Sequence, residues 1–142
     1  MTIAAIVRNK SGAIISVGED TPVADVVKLL ADARIGAVPV LRGDAVVGVL
    51  SERDVVHELA SQGSAIMERT AAAAMTSPAI TVDPGMPVLA ALSLMTQRRI
   101  RHLPVIDGGA MIGFVSIGDL VKFRIDGIEA EAEALRSYIS SV

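Results

Sequence analysis

The chain has no cysteine and no tryptophan, and only two phenylalanines and one tyrosine in 142 residues. The lack of cysteine excludes disulfides, thiolate metal sites and cysteine nucleophiles, and it fits a reducing compartment, so the expected location is cytoplasmic. The scarcity of aromatic rings removes the stacking platforms of single-strand binders. A net charge of −3 offers no basic surface for phosphodiester backbones, so no nucleic-acid partner is expected. No apolar run reaches the roughly 18 residues that a bilayer crossing needs, so no membrane partner is expected either. The opening residues Met1-Thr2-Ile3-Ala4-Ala5-Ile6-Val7-Arg8 put no charge ahead of the apolar stretch, unlike a secretory signal, and read as a short structured lead-in.

Catalytic signatures are missing too. There is no glycine-rich P-loop and no dinucleotide fingerprint. His57-Glu58 begins like a zinc-protease helix, but Ser61 stands where the second histidine would be needed, so no metal is expected. The two histidines have no serine elbow to serve. These absences argue against an enzyme. What is present is an aliphatic interior: 51% of residues are hydrophobic and 20% charged, so the chain is ordered and its core is built from Val, Ile, Leu, Ala and Met. The length suits one compact domain or two small halves sharing a core.

The chain is written twice. An ungapped offset of 65 residues places Ile15–Val55 on Ile80–Leu120. Val17, Pro22, Val23 and Leu29 fall on Val82, Pro87, Val88 and Leu94, and Pro39-Val40 falls on Pro104-Val105. Gly43, Ala45, Gly48, Ser51 and Asp54 fall on Gly108, Ala110, Gly113, Ser116 and Asp119. Each copy reads β-α-β-β-α. Ile14–Val17 is a short strand, Thr21 caps a helix whose first position is Pro22, and Val23, Val26, Val27 and Leu30 follow at helical spacing. Ala37–Leu41 is a buried strand in which Pro39 implies an edge or an interrupted ladder. Arg42-Gly43-Asp44 turns the chain into a strand from Ala45 to Leu50, and Ser51–Ala60 is the closing helix. The fold class is α/β (α+β), two such repeats packed as one pseudo-two-fold unit. The division expected is 1–65 for repeat one with its lead-in and 66–142 for repeat two with a connector and a C-terminal helix. The connector, Ser61–Pro78, is expected to carry a helical turn. Ile128, Ala132, Leu135 and Ile139 mark the final helix, which packs on its own domain or on a dimer partner.

On these residues the chain resembles the CBS domain family, in particular its tandem pairs. The carriers are the doubled pattern, Gly36-Ala37-Val38-Pro39-Val40 with Arg101-His102-Leu103-Pro104-Val105, and the closing signatures Gly48-Val49-Leu50-Ser51-Glu52-Arg53-Asp54 and Gly113-Phe114-Val115-Ser116-Ile117-Gly118-Asp119. The resemblance covers nearly the whole chain. It implies a clefted unit that binds an adenosine nucleotide (AMP, ADP, ATP, NAD(H) or S-adenosylmethionine), association into a homodimer, and regulation of another protein. The alternative within the same family is a ligand-free pair acting through protein–protein contacts.

The physical chemistry of the candidate positions is compatible with that. Ser51 and Ser116 stand at helix starts with Asp54 and Asp119 three residues on. This is a capping pattern in its own right, and it also offers free N–H groups to a phosphate and a carboxylate to ribose hydroxyls. Arg98 and Arg99 read as a solvated helix end. Arg101 and His102 begin a strand beside the proposed cleft, where arginine suits bidentate phosphate contact and a neutral histidine can still donate one hydrogen bond. By resemblance, the segment before one repeat lines the cleft holding the signature of the other. Lys10 and Ile15 then go with Asp119, and Thr76 and Ile80 with Asp54; Lys10-Ser11 is the counterpart of Met75-Thr76. Gly36, Ala37, Pro39, Pro104, Gly118 and Arg53 complete the nucleotide-binding set. Arg53 either folds over a phosphate or points into water. Counting Lys10, Arg101 and His102 on one side against Arg53 on the other, the Asp119 cleft is expected to be the more cationic.

Overall fold

The computed structural model describes residues 1–10 and 12–141. It is a mixed α/β fold of two repeats. Helix α1 (Ile3–Asn9) is the lead-in. Repeat one then runs β1 (Val17–Gly18), α2 (Val23–Ala33), β2 (Ala37–Arg42), β3 (Ala45–Ser51) and α3 (Glu52–Gln62). A 3-10 turn, Gly63–Glu68, and the short helix α4 (Ala71–Ala74) form the connector. Repeat two follows as α5 (Val88–Arg98), β4 (His102–Asp107), β5 (Ala110–Ser116) and α6 (Ile117–Ser140).

The two cores are copies of each other. Val23, Val26, Leu30, Val38, Val40, Leu50 and Val55 are buried in repeat one. Their counterparts 65 positions on, Val88, Ala91, Met95, Leu103, Val105, Val115 and Leu120, are buried in repeat two. The flanking segments, however, are exchanged. Ile3 and Ile6 of α1 lie in the core of repeat two, whereas Ile66, Ala71 and Ala74 of the connector lie in the core of repeat one. Backbone bonds fix both: Ile3 N–H donates to Met86 O at 2.9 Å, and Ala71 N–H to Thr21 O at 2.7 Å. Two glycines permit the close approach. A Cβ on Gly48 would stand 2.5 Å from the Met75 sulfur and 2.8 Å from Thr76 O, and one on Gly113 would stand 2.8 Å from a Val7 methyl. A cut at residue 65 thus separates the sequence copies but not the packing units.

Three local expectations are corrected, and the two alternatives left open for Pro39 are decided. The strand expected at Ile14–Val17 is only Val17–Gly18, and its second copy is reduced to a bridge, Val82 to Val105. The cause is the proline at 39 and 104. Pro104 O accepts from Val82 N–H at 3.0 Å, and Val82 O from Ile106 N–H at 2.8 Å, but proline has no N–H with which to carry the parallel ladder further upstream. β2 is the central strand of the β1-β2-β3 sheet, so Pro39 interrupts a ladder and does not mark an edge. Thr21 is not the cap of α2: Pro22 is the N-cap residue, and the Thr21 hydroxyl accepts from Gly18 N–H at 3.2 Å. Finally, the closing helix of repeat two and the C-terminal helix are one 24-residue element, α6.

Candidate functional site

Both closing signatures form complete capping boxes. Asp54 N–H donates to Ser51 Oγ at 3.2 Å while Ser51 N–H donates to Asp54 Oδ2 at 2.9 Å. In repeat two, Asp119 N–H donates to Ser116 Oγ at 3.1 Å and Ser116 N–H to Asp119 Oδ2 at 2.8 Å. Each carboxylate is then met by the segment that precedes the other repeat. Thr76 Oγ1 donates to Asp54 Oδ1 at 2.9 Å. Lys10 Nζ donates to Asp119 Oδ2 at 2.9 Å and to Phe114 O at 2.8 Å. Ser11, the counterpart of Thr76, lies outside the described residues.

A cavity opens beside each carboxylate. The Asp119 cavity, about 510 Å³, is lined by Lys10, Ile15, Gly36, Ala37, His102 and Ser116 among others. The Asp54 cavity, about 400 Å³, is lined by Ser51, Arg53, Thr76, Ile80, Arg101 and His102 among others. Both fall in the size range of small-molecule sites. Of the proposed positions, Pro39 and Pro104 are buried in the sheets and line neither cavity, and nor does Gly118. The two prolines act one step removed: by ending the ladder they release the backbone at Ile15 and Ile80 from the sheet and leave it at the cavity wall.

The distribution of cations is the reverse of the expectation. The Asp54 cavity collects Arg53, Arg98, Arg99 and Arg101, whereas the Asp119 cavity has Lys10, already paired, and Arg34; His102 borders both. The helix-to-strand junction of each repeat therefore lines the cavity of the other repeat's aspartate, as the preceding segment does. Arg101 shows why linear register misleads. Its carbonyl accepts from Ile117 N–H at 2.8 Å, at the root of the Asp119 helix, yet its side chain lines the opposite cavity. Arg98 and Arg99 are exposed at a helix end, as read, but they also line that cavity. Arg53 reaches across it to donate to Arg99 O at 3.3 Å, a third course beside the two envisaged for it. Arg34 was missed, although the signal was in the repeat: Arg34 and Arg99 are 65 apart, and both hold a left-handed backbone with φ of 55°.

His102 is half-buried and stacks on Phe114, with ring centroids 5.6 Å apart. Burial, followed by the nearby Lys10 ammonium, lowers its pKa and favours the neutral ring. Burial pushes the Asp119 carboxyl up, but the Ser116 N–H and the Lys10 ammonium outweigh it and hold the group below its ordinary value. A histidine with a lowered folded pKa costs stability as pH falls, because below 6.5 the unfolded chain takes up a proton that the folded chain resists. The melting temperature is therefore expected to decline as pH drops from neutral through that value, and His102→Gln should flatten the decline. Thermal melts across a pH series check this, and an unchanged slope in the variant would count against it. The Asp119 contribution has the depressed-carboxylate sign: it is intact above the ordinary carboxylate value and fades only as pH falls through the lower folded value.

Two α/β repeats that exchange their leading segments, with a Ser-x-x-Asp capping box at each of two inter-repeat cavities, define a tandem two-cleft module. Comparison with known proteins supplies the particular family. The CBS domain matches twice, at residues 7–61 and 71–126, and the chain belongs to that family. It is 38% identical over 125 residues to the mitochondrial CBS domain-containing protein CBSX3 of Arabidopsis thaliana, covering 84% of this chain and 61% of that protein. The chain thus spans about six tenths of that relative's length. A putative signal-transduction protein with CBS domains from Burkholderia ambifaria superposes with a TM-score of 0.84 at 37% identity, over 89% of this chain and 95% of the other. CBSX2, solved in complex with AMP, superposes at 0.72 with 25% identity, over 88% and 96%. No helix among the described residues is long and apolar enough to cross a membrane.

Proposed function

We propose that this chain is a regulatory module that binds an adenosine nucleotide in its inter-repeat clefts, with AMP, ADP, ATP, NAD(H) and S-adenosylmethionine as the candidate ligands. The observation that carries the reading is the doubled arrangement at Asp54 and Asp119: a carboxylate at a helix N-terminus, bonded across the repeat boundary, facing a cavity of nucleotide size. Adenine lies against Ile15 or Ile80 and meets the released backbone there; the aspartate accepts from the ribose hydroxyls. The helix N-terminus and arginines take the phosphates without a P-loop. The similarity to CBSX2, solved with AMP, supports the ligand class. The module binds its ligand without transforming it and acts on another protein.

The arginine cluster makes the Asp54 cleft the one suited to the more highly phosphorylated ligand. Arg101→Ala is expected to weaken ATP more than AMP, about fivefold to tenfold for the loss of one partly solvated contact, and the parent's affinity should fall with added salt. Lys10→Ala is expected to leave that site unchanged. Titration calorimetry of the two variants decides: if Lys10→Ala removes the tight site and Arg101→Ala spares it, the clefts are assigned the wrong way round.

One observation favours a second reading for the other cleft. Lys10 already satisfies Asp119, which suits a pair that stays empty and works through protein contacts. Titration and thermal-shift measurements with all the candidate nucleotides separate the two, since no heat and no shift with any of them leaves only the second. The chain is also proposed to be a homodimer, as its exposed apolar side chains on α3 and α6 suggest. Sedimentation at micromolar concentration tests this.

A further inference from the structure

The continuity of α6 reveals a pattern wider than the four C-terminal residues of its tail. Val121, Ile125, Ile128, Ala132, Leu135 and Ile139 follow one another at intervals of 4, 3, 4, 3 and 4 residues along a single helix. That is the a/d seam of a coiled coil, sustained over nearly three heptads. Apart from Ala132, these side chains are 41% to 65% exposed. The N-terminal part of α6 packs on its own repeat through Leu120, which is fully buried. Past Gly127, near which Met1 lies, every residue but Ala132 up to Ser141 is exposed. An overhang of about three and a half turns is marginal in water without a partner.

We propose that this seam pairs with the same seam of a second copy of the chain, parallel and in register, and so sets the orientation of the homodimer. The proposal rests on the dimer reading above and adds its geometry. The occupant and its direction follow from the flanking charges. With Ile125, Ala132 and Ile139 at a and Val121, Ile128 and Leu135 at d, the e and g positions hold Lys122, Arg124, Glu129, Glu131, Arg136 and Tyr138. A parallel pair sets each g residue against the e residue five places on in the partner. Arg124 then faces Glu129 and Glu131 faces Arg136, twice each by symmetry, all attractive. An antiparallel pair centred on the same seam sets Glu129 against Glu129, Glu131 against Glu131, and Lys122 against Arg136, all repulsive. Arg136 and Lys122 bond within their own helix, to Glu133 and Asp126, but both pairs are exposed and exchangeable. Leu135 at d with Ile139 at a suits two strands in the last heptad, and Ala132 at the centre lets the helices approach closely. Since α6 springs from repeat two, the copies meet with repeat two against repeat two.

The chain's lack of cysteine makes the test clean. In full-length Leu135→Cys, oxidation is expected to link nearly all of the protein into a disulfide dimer, because the two residues face each other only when the helices run parallel in register. Glu133→Cys, off the seam, is expected to remain largely unlinked. Glu131→Arg is expected to weaken self-association at least tenfold in sedimentation, and adding Arg136→Glu to restore it. If the parent sediments as a dimer but Leu135→Cys does not link, the parallel seam is wrong and the dimer reading stands. If the parent is a monomer, both fail.

Discussion

Nucleotide affinity at the Asp54 cleft is expected to fall roughly tenfold to hundredfold in Asp54→Ala, and affinity at the other cleft by a similar factor in Asp119→Ala. Hydrogen bonds to a charged acceptor contribute on the order of 1.5–3 kcal/mol each, which is that range in affinity. The complication is structural. Asp54 also accepts from Ser51 N–H and Thr76 Oγ1, so its loss removes part of a helix cap, typically about 1 kcal/mol of stability. Ser51→Ala separates the two roles. It removes the hydroxyl that receives Asp54 N–H but leaves the carboxylate, so it should lower the melting temperature comparably while retaining most of the affinity. Calorimetric titration of the three variants at a temperature well below melting checks this. A double variant, Asp54→Ala with Asp119→Ala, that binds as tightly as the parent would refute the ribose assignment.

Ile3→Ala is expected to be among the most destabilising single substitutions in the chain, although it is the third residue of the sequence. Ile3 is fully buried in the core of repeat two, and truncating a buried isoleucine costs about 2–5 kcal/mol. Against a typical total of about 5–15 kcal/mol this is a large fraction, worth on the order of 10 °C in melting temperature for a domain of this size. Ile66→Ala should do the same to repeat one, where Ile66 is fully buried. Val56→Ala, at a residue 65% exposed, serves as the control and should change stability by no more than about 0.5 kcal/mol. Denaturant melts give the magnitudes. Hydrogen exchange should show β4 and β5 losing protection in Ile3→Ala. An Ile3→Ala protein as stable as the parent would overturn the exchanged packing.

The fold was legible because it is repeated. Seven core positions recur at one offset, and no apolar coincidence sets proline, glycine, serine and aspartate in the same register. The capping boxes were legible as well, since Ser-x-x-Asp is a local pattern that closes on itself. Local rules failed where a neighbouring segment competed. Thr21 has the chemistry of a cap, but its hydroxyl is taken by Gly18 N–H. Ile14 and Ile15 have strand propensity, but the strand they would pair with offers Pro39. The same proline, read as a ladder-breaker, held the information; what was missing was that β2 is central and that the break falls on its parallel side.

The sequence by itself determined the duplicated fold, the family, the two aspartates and the partners that Lys10 and Thr76 make with them. The duplication and the two aspartates follow from periodicity and register, which a linear chain displays in full; the pairings of Lys10 and Thr76 follow from the resemblance to the family. Only the tertiary structure decided which arginines belong to which cleft, that the leading segments are exchanged between cores, and that α6 runs unbroken. Arg101 makes the reason concrete: its backbone is hydrogen-bonded at the start of one cleft's helix while its side chain lines the other cleft. Where two repeats share a wall, sequence neighbours serve different sites, and only the packing of both repeats together assigns them.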